Sequence, residues 1–197
     1  MNKKKILSFI FIYLFYFTNS YSIEPDIFVQ STVNRASKVL SDNTLSKDKK
    51  IMELQNIAKE TVDIRGIGLY TLGSARKGLS DEQKSEYSKL FNQYFLKSFA
   101  SRLAEYTNPE IDVFGKDVLN ENYTMVNSLL KGTDQRPEVK IDWRIYTKNP
   151  NNPLIRDLVI EGLSLARTQK EEFESILNSN DGKINILFET LRKFTNN

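Results

Sequence analysis

The chain has 197 residues, with 28 Lys and Arg against 25 Asp and Glu, and it contains no His and no Cys. Those absences remove the usual general base, the commonest metal ligand, any thiolate nucleophile and any disulfide framework, so no metal and no cofactor are expected. The basic surplus is local. Lys3, Lys4 and Lys5 precede an apolar run over 6–17 and the small residues Ser20 and Ser22, which is the three-part pattern of a secretory signal peptide. That run is shorter than the about 20 residues needed to span a bilayer. Cleavage after Ser22 would leave 197 − 22 = 175 residues with 28 − 3 = 25 basic side chains against 25 acidic ones. A formally neutral chain lacks the clustered cations that phosphate-held nucleic acid requires, so neither nucleic acid nor stable membrane insertion is expected. The reading is a signal peptide over 1–22 and one domain over 23–197, large enough to bury roughly 70% of its unfolded surface.

Helices come first. Val29, Val33, Ala36 and Leu40 recur at helical spacing over 26–40, behind Pro25 at a favourable start position. A second helix begins at Ser46 and carries Ile51, Leu54, Ala58 and Val62 on one stripe. Residues 63–72 form a third, weakened by Gly66 and Gly68 and therefore expected to be bent or irregular. Ser80 with Gln83 three residues later makes a capping box for a long helix over 81–106. Its apolar stripe is Tyr87, Leu90, Phe91, Tyr94, Phe95, Phe99, Leu103 and Tyr106. So bulky a wall serves either as an ordinary core face or as the lining of an apolar cavity.

After Pro109 the period falls to two. Val139, Ile141, Trp143 and Ile145 alternate with Lys140, Asp142, Arg144 and Tyr146, the pattern of a sheet with one buried face. Residues 120–130 and 154–165 read as neighbouring strands and 111–114 as a short one, with loops of hairpin length between them. Helices return over 167–178 and 182–194. The predicted fold is α+β: N-terminal helices, a mostly antiparallel four-stranded sheet and C-terminal helices, one sheet face being covered by helices.

Enzyme motifs are incomplete. Ser74 and Lys77 fit a Ser-x-x-Lys element, and Ser41, Asp42 and Asn43 spell the second element of penicillin-interacting enzymes. Their order is reversed, and Lys131, Gly132 and Thr133 scramble the third. Gly66, Gly68 and Gly73 do not have dinucleotide-fingerprint spacing. The chain is read as a non-enzyme, with a Ser/Lys hydrolase as the alternative from another class.

Three stretches in order resemble the MlaC family of phospholipid-binding proteins, also called toluene-tolerance proteins, auxiliary components of an ABC transporter. They are 63–76, with Leu72, Gly73 and Arg76 ahead of Ser80 and Gln83; the aromatic helix; and 157–173, with Glu161, Gly162, Leu163, Ser164 and Leu165 ahead of Phe173. Ile64 and Ala75 stand where the family usually has an aromatic and a Trp. The resemblance implies a periplasmic shuttle that passes phospholipid between an outer-membrane lipoprotein complex and an inner-membrane ABC transporter substrate-binding-domain complex, maintaining outer-membrane lipid asymmetry. It also implies an apolar pocket enclosed by sheet and helices. A two-chain lipid has about 30 methylenes, so exposing its tails to water would cost roughly 24 kcal/mol and the pocket must be nearly closed. On that reading the tails contact Phe91, Phe95 and Phe99 from the helix and Val139, Ile141, Trp143 and Ile145 from the sheet. Leu158, Ile160 and Leu163 come next, with Arg76 and Lys77 nearest the headgroup. A hopanoid or another apolar lipid is the alternative cargo.

Overall fold

The computed structural model describes residues 22–196. The expected leader therefore lies outside the described residues, apart from Ser22. Helices α1 (Pro25–Ser41), α2 (Lys47–Thr61) and α3 (Ile64–Thr71) are followed by a 3-10 segment, Gly73–Gly78, and the long α4 (Asp81–Leu103). Strands β1 (Ile111–Asn120), β2 (Tyr123–Leu130), β3 (Val139–Tyr146), β4 (Leu154–Ile160) and β5 (Leu163–Ser164) come next, then α5 (Leu165–Asn178) and α6 (Ile184–Asn196). The architecture is α+β, with helices before and after an antiparallel sheet of strand order β1-β2-β3-β4-β5.

Local chemistry fixes the helix starts. Pro25 occupies the first turn of α1, and the Ser46 hydroxyl caps α2 by accepting from the Lys49 amide at 3.3 Å. At α4 the capping box is complete: Ser80 Oγ accepts from the Gln83 amide at 3.2 Å, and Gln83 Oε1 accepts from the Ser80 amide at 3.0 Å. Two backbone donors that the helix would leave unpaired are thereby satisfied.

Helix α3 is regular, contrary to the bent segment its glycines suggested. Asp63 Oδ1 caps it by accepting from the Gly66 amide at 2.8 Å. A Cβ on Gly66 would meet the Asp63 carboxylate at 2.4 Å, and one on Gly68 would meet the Phe91 ring at 2.8 Å. These glycines bring backbone close to side chains. Gly68→Ala is expected to destabilise the protein by up to about 2 kcal/mol in urea unfolding, because overpacking against Phe91 outweighs the gain of about 1 kcal/mol in helix propensity.

The sheet departs from simple alternation at three places, each with a geometric cause. In β4 the partners run Arg144 to Asp157 and then Ile145 to Ile155, so Arg156 is an extra, bulged residue. The bulge resets the face of the strand, and Ile155 points inward with Leu158. In β1, Phe114 and Leu119 are extra residues against β2, which hides the alternation of a strand running all the way to Asn120. The expected strand over 120–130 accordingly begins only at Tyr123. The expected strand over 154–165 is a hairpin instead: Glu161 (φ 48°) and Gly162 (φ 83°) are both left-handed, as a two-residue type I′ turn requires. Beyond that turn lies the short fifth strand.

Helices α1, α2 and α4 cover the inner face of the sheet, while α5 and α6 pack against α4. Tyr94 meets Phe173 of α5 at 6.0 Å between ring centroids, and Tyr87 meets Phe188 of α6 at 6.4 Å. The α2–α3 junction closes the part of the β4 edge that β5 leaves open. Val62 bridges Ile155 in parallel, and the Asp63 amide donates to the Ile155 carbonyl at 2.9 Å.

Candidate functional site

The aromatic stripe of α4 arises from four-residue spacing, which stacks Phe91, Phe95 and Phe99 on one face. Phe95 and Phe99 lie 5.4 Å apart and within 13° of parallel, and Phe173 meets Phe91 edge-on at 6.3 Å. Opposite them stands Trp143, 8% exposed, between Val126 and Leu158 in the sheet. Its indole Nε1 donates to Ser128 Oγ at 2.8 Å, and that hydroxyl donates to the Ile141 carbonyl at 2.8 Å. The one polar atom of the indole is satisfied inside the sheet, so the ring presents an apolar surface to the helices.

Two apolar hollows lie between these walls. The outer one, of about 190 Å³, has Val62, Ile67, Phe91, Trp143 and Ile155 at its buried base. Arg102, Leu165, Thr168 and Glu172 stand at its exposed rim. The inner one, of about 140 Å³, lies under α1 and α2, against Val33, Leu54 and Ala58, and reaches Ile111, Leu130, Ile141 and Ile160 of the sheet. Val62, Phe99, Trp143, Ile155 and Leu158 line both. The two hollows are thus lobes separated by a single layer of side chains.

Polar groups concentrate at the outer lobe. Tyr94 donates its hydroxyl to Gln169 Oε1 at 2.7 Å, and Gln169 Nε2 donates to Glu172 Oε2 at 2.8 Å, which ties α4 to α5. Burial first, and then the Glu172 charge, push the Tyr94 phenol above its ordinary value and keep it a neutral donor. Asp157, 4% exposed, is already engaged. It accepts from the Ala166 amide at 3.0 Å and from Ser164 Oγ at 2.6 Å, and so holds the start of α5.

Of the residues singled out from the sequence, Phe91, Phe95, Phe99, Ile141, Trp143, Leu158 and Ile160 line one or both lobes. Ile145 is fully buried in the core behind them. Val139 borders a separate hollow of about 270 Å³ at the loop before β3. Leu163 is 68% exposed beyond the hairpin turn. Arg76 and Lys77 sit exposed on the 3-10 segment, and neither lines a lobe. The sequence reading did not pick out Ile155, Val62, the α1 and α2 lining or Arg102. Arg102 did carry a signal: it follows Phe95 by seven residues and Phe99 by three, which puts a cation on the same helix face as those rings.

A helix-covered antiparallel sheet built around an apolar space, with Arg102 and Glu172 at its rim and the buried Asp157 carboxylate engaged at the start of α5, is the architecture of a binding protein. The chain belongs to the MlaC family: the family model described as "MlaC protein" matches residues 30–193. The fold is similar to that of a phospholipid-binding protein from Ralstonia solanacearum solved in complex with a phospholipid, at a TM-score of 0.73 and 20% identity. That similarity covers 88% of this chain and 97% of the other. Among curated proteins, none matches the chain by sequence.

Proposed function

We propose that the protein is a periplasmic phospholipid carrier that shuttles lipid between an outer-membrane lipoprotein complex and an inner-membrane ABC transporter complex, and so maintains outer-membrane lipid asymmetry. The carrying observation is the pair of apolar lobes that share the layer of Phe99, Trp143 and Leu158. Two adjoining lobes suit a ligand with two tails, and the tail contacts are assigned to Phe91, Phe95, Phe99, Ile141, Trp143, Leu158 and Ile160. Family membership and the phospholipid bound in the Ralstonia solanacearum structure support the same reading. The basic and apolar leader over 1–22 supports export, with removal of that segment from a domain over 23–197. No helix among the described residues is long and apolar enough to cross a membrane.

The lobes also set a condition on loading. An apolar cavity of about 150 Å³ holds one benzene, so each lobe takes a short length of chain, whereas two acyl tails bring about 30 methylenes between them. Occupancy requires the shared layer to move and the lobes to merge. Because Trp143 belongs to that layer and is the one Trp of the chain, its fluorescence is the direct reporter. Delipidated protein mixed with phospholipid vesicles should show a shifted Trp143 emission and, in native mass spectrometry, a mass increase of one phospholipid. A bound hopanoid after purification from periplasm would replace the cargo assignment. Absence of any bound lipid, with unshifted emission, would remove the carrier reading. A Ser/Lys hydrolase predicts instead that an acylating probe labels Ser74, and no labelling is expected.

A further inference from the structure

Charged residues at the outer lobe reduce to one free pair. Asp157 is engaged by Ser164 and Ala166, which leaves Arg102 from the last turn of α4 and Glu172 from α5. Both are exposed at the rim. They do not pair with each other, and among the described residues Arg102 has no hydrogen-bond or ion-pair partner through its side chain. Glu172 is steadied by Gln169, which donates to one carboxylate oxygen at 2.8 Å while Tyr94 holds Gln169 from the other side. A fixed carboxylate and an uncommitted guanidinium therefore stand at one mouth, over a cavity whose base is apolar but for the engaged Asp157.

We propose that this mouth selects a zwitterionic phosphate-ammonium headgroup, of the phosphoethanolamine class, with the phosphate on Arg102 and the ammonium toward Glu172. The inference rests on the phospholipid-carrier reading and adds its headgroup preference. A guanidinium meets phosphate oxygens with paired, charge-assisted hydrogen bonds. The carboxylate accepts from a primary ammonium and repels a headgroup whose only charge is the phosphate. Attraction and repulsion then both favour the zwitterion over an anionic phospholipid.

The test loads delipidated protein from vesicles of equimolar phosphatidylethanolamine and phosphatidylglycerol with matched chains, and reads the bound ratio by native mass spectrometry. Wild type should favour phosphatidylethanolamine about threefold, the size of an exposed charge contact. Glu172→Gln keeps an oxygen for Gln169 but removes the charge, and should bring the ratio close to one. Arg102→Gln should lower the loading of both lipids about threefold. Both substitutions are at exposed positions, and unchanged thermal melting would show that the variants are folded. Inorganic phosphate should leave loading no lower than sodium chloride of the same ionic strength does, since salt screens exposed charges equally in both; displacement of lipid by phosphate alone would make the rim a site for free phosphate and overturn the headgroup assignment. Equal uptake of the two lipids by wild type, or a ratio unmoved by Glu172→Gln, overturns the inference while leaving the carrier reading in place. Uptake of neither lipid overturns both.

Discussion

Ala36→Phe and Ser98→Phe are each expected to weaken phospholipid loading by about 100-fold while leaving the protein folded. Ala36 lines the inner lobe and Ser98 the outer one, and neither is fully buried. A phenyl ring is the size of the benzene that fills a cavity of about 150 Å³, so one substitution fills most of one lobe. A tail denied that space leaves some four methylenes in contact with water, at about 0.8 kcal/mol each. The loss is about 3 kcal/mol, close to 100-fold in Kd. Because the ring enters existing space, the stability of the fold should hold or rise slightly. Lipid titration followed by Trp143 emission gives Kd, and urea unfolding of the same samples gives stability. Equal losses from the two variants would mean that the tails use both lobes. A loss from Ser98→Phe alone would place the whole lipid in the outer lobe, and no loss from either would place the tails outside this cavity.

What the sequence disclosed about this site follows from which residues keep their period. Phe91, Phe95 and Phe99 lie four residues apart on a helix with a complete capping box, and Ile141 and Trp143 belong to an unbroken alternation. Both patterns survive folding, so both walls were legible. Ile155 was not, because period two counted back from Leu158 assigns the inward place to Arg156, and only the bulge moves it. Phe114 and Leu119 conceal the length of β1 in the same way. Leu163 failed for the opposite reason: its apolar character continued an apparent strand that in fact reverses at Glu161 and Gly162. The second lobe left no mark at all, since Leu54 and Ala58 on α2 look the same in sequence whether they face solid core or a hollow. Arg76 and Lys77 were drawn by their place beside the aromatic helix. The cavity opens between α4 and α5 instead, at a distance along the chain that spacing cannot measure.

Asp63→Ala should lower stability by about 3 kcal/mol, although the residue lines neither lobe. One carboxylate performs two tasks: Oδ1 caps α3 at Gly66, and Oδ2 accepts from Arg156 Nε at 2.6 Å. Arg156 in turn donates to the Tyr123 hydroxyl at 2.8 Å and lies 4.1 Å from the centre of the Tyr146 ring. The cap is worth about 1 kcal/mol. Breaking a fully buried pair costs about 3–5 kcal/mol, but the side chains here are 30% and 16% exposed, so solvent reduces that share to about 2 kcal/mol. For a chain of this size the sum corresponds to a fall in Tm of roughly 6–12 °C. Arg156→Met also removes the Tyr123 and Tyr146 contacts, so the pair is isolated by the double-mutant cycle of Asp63→Ala, Arg156→Met and both together: a coupling of about 2 kcal/mol is expected, and a coupling near zero would show that the pair itself contributes little. The consequence reaches the cavity. Asp63 adjoins Val62, and the bonds of both residues to Ile155 hold the α2–α3 junction on β4, where Val62 and Ile155 form part of the layer shared by the lobes. Asp63→Ala should therefore loosen that layer before the whole protein unfolds, and hydrogen exchange at the Asp63 amide should rise more than at β2, whose hydrogen bonds lie within the middle of the sheet.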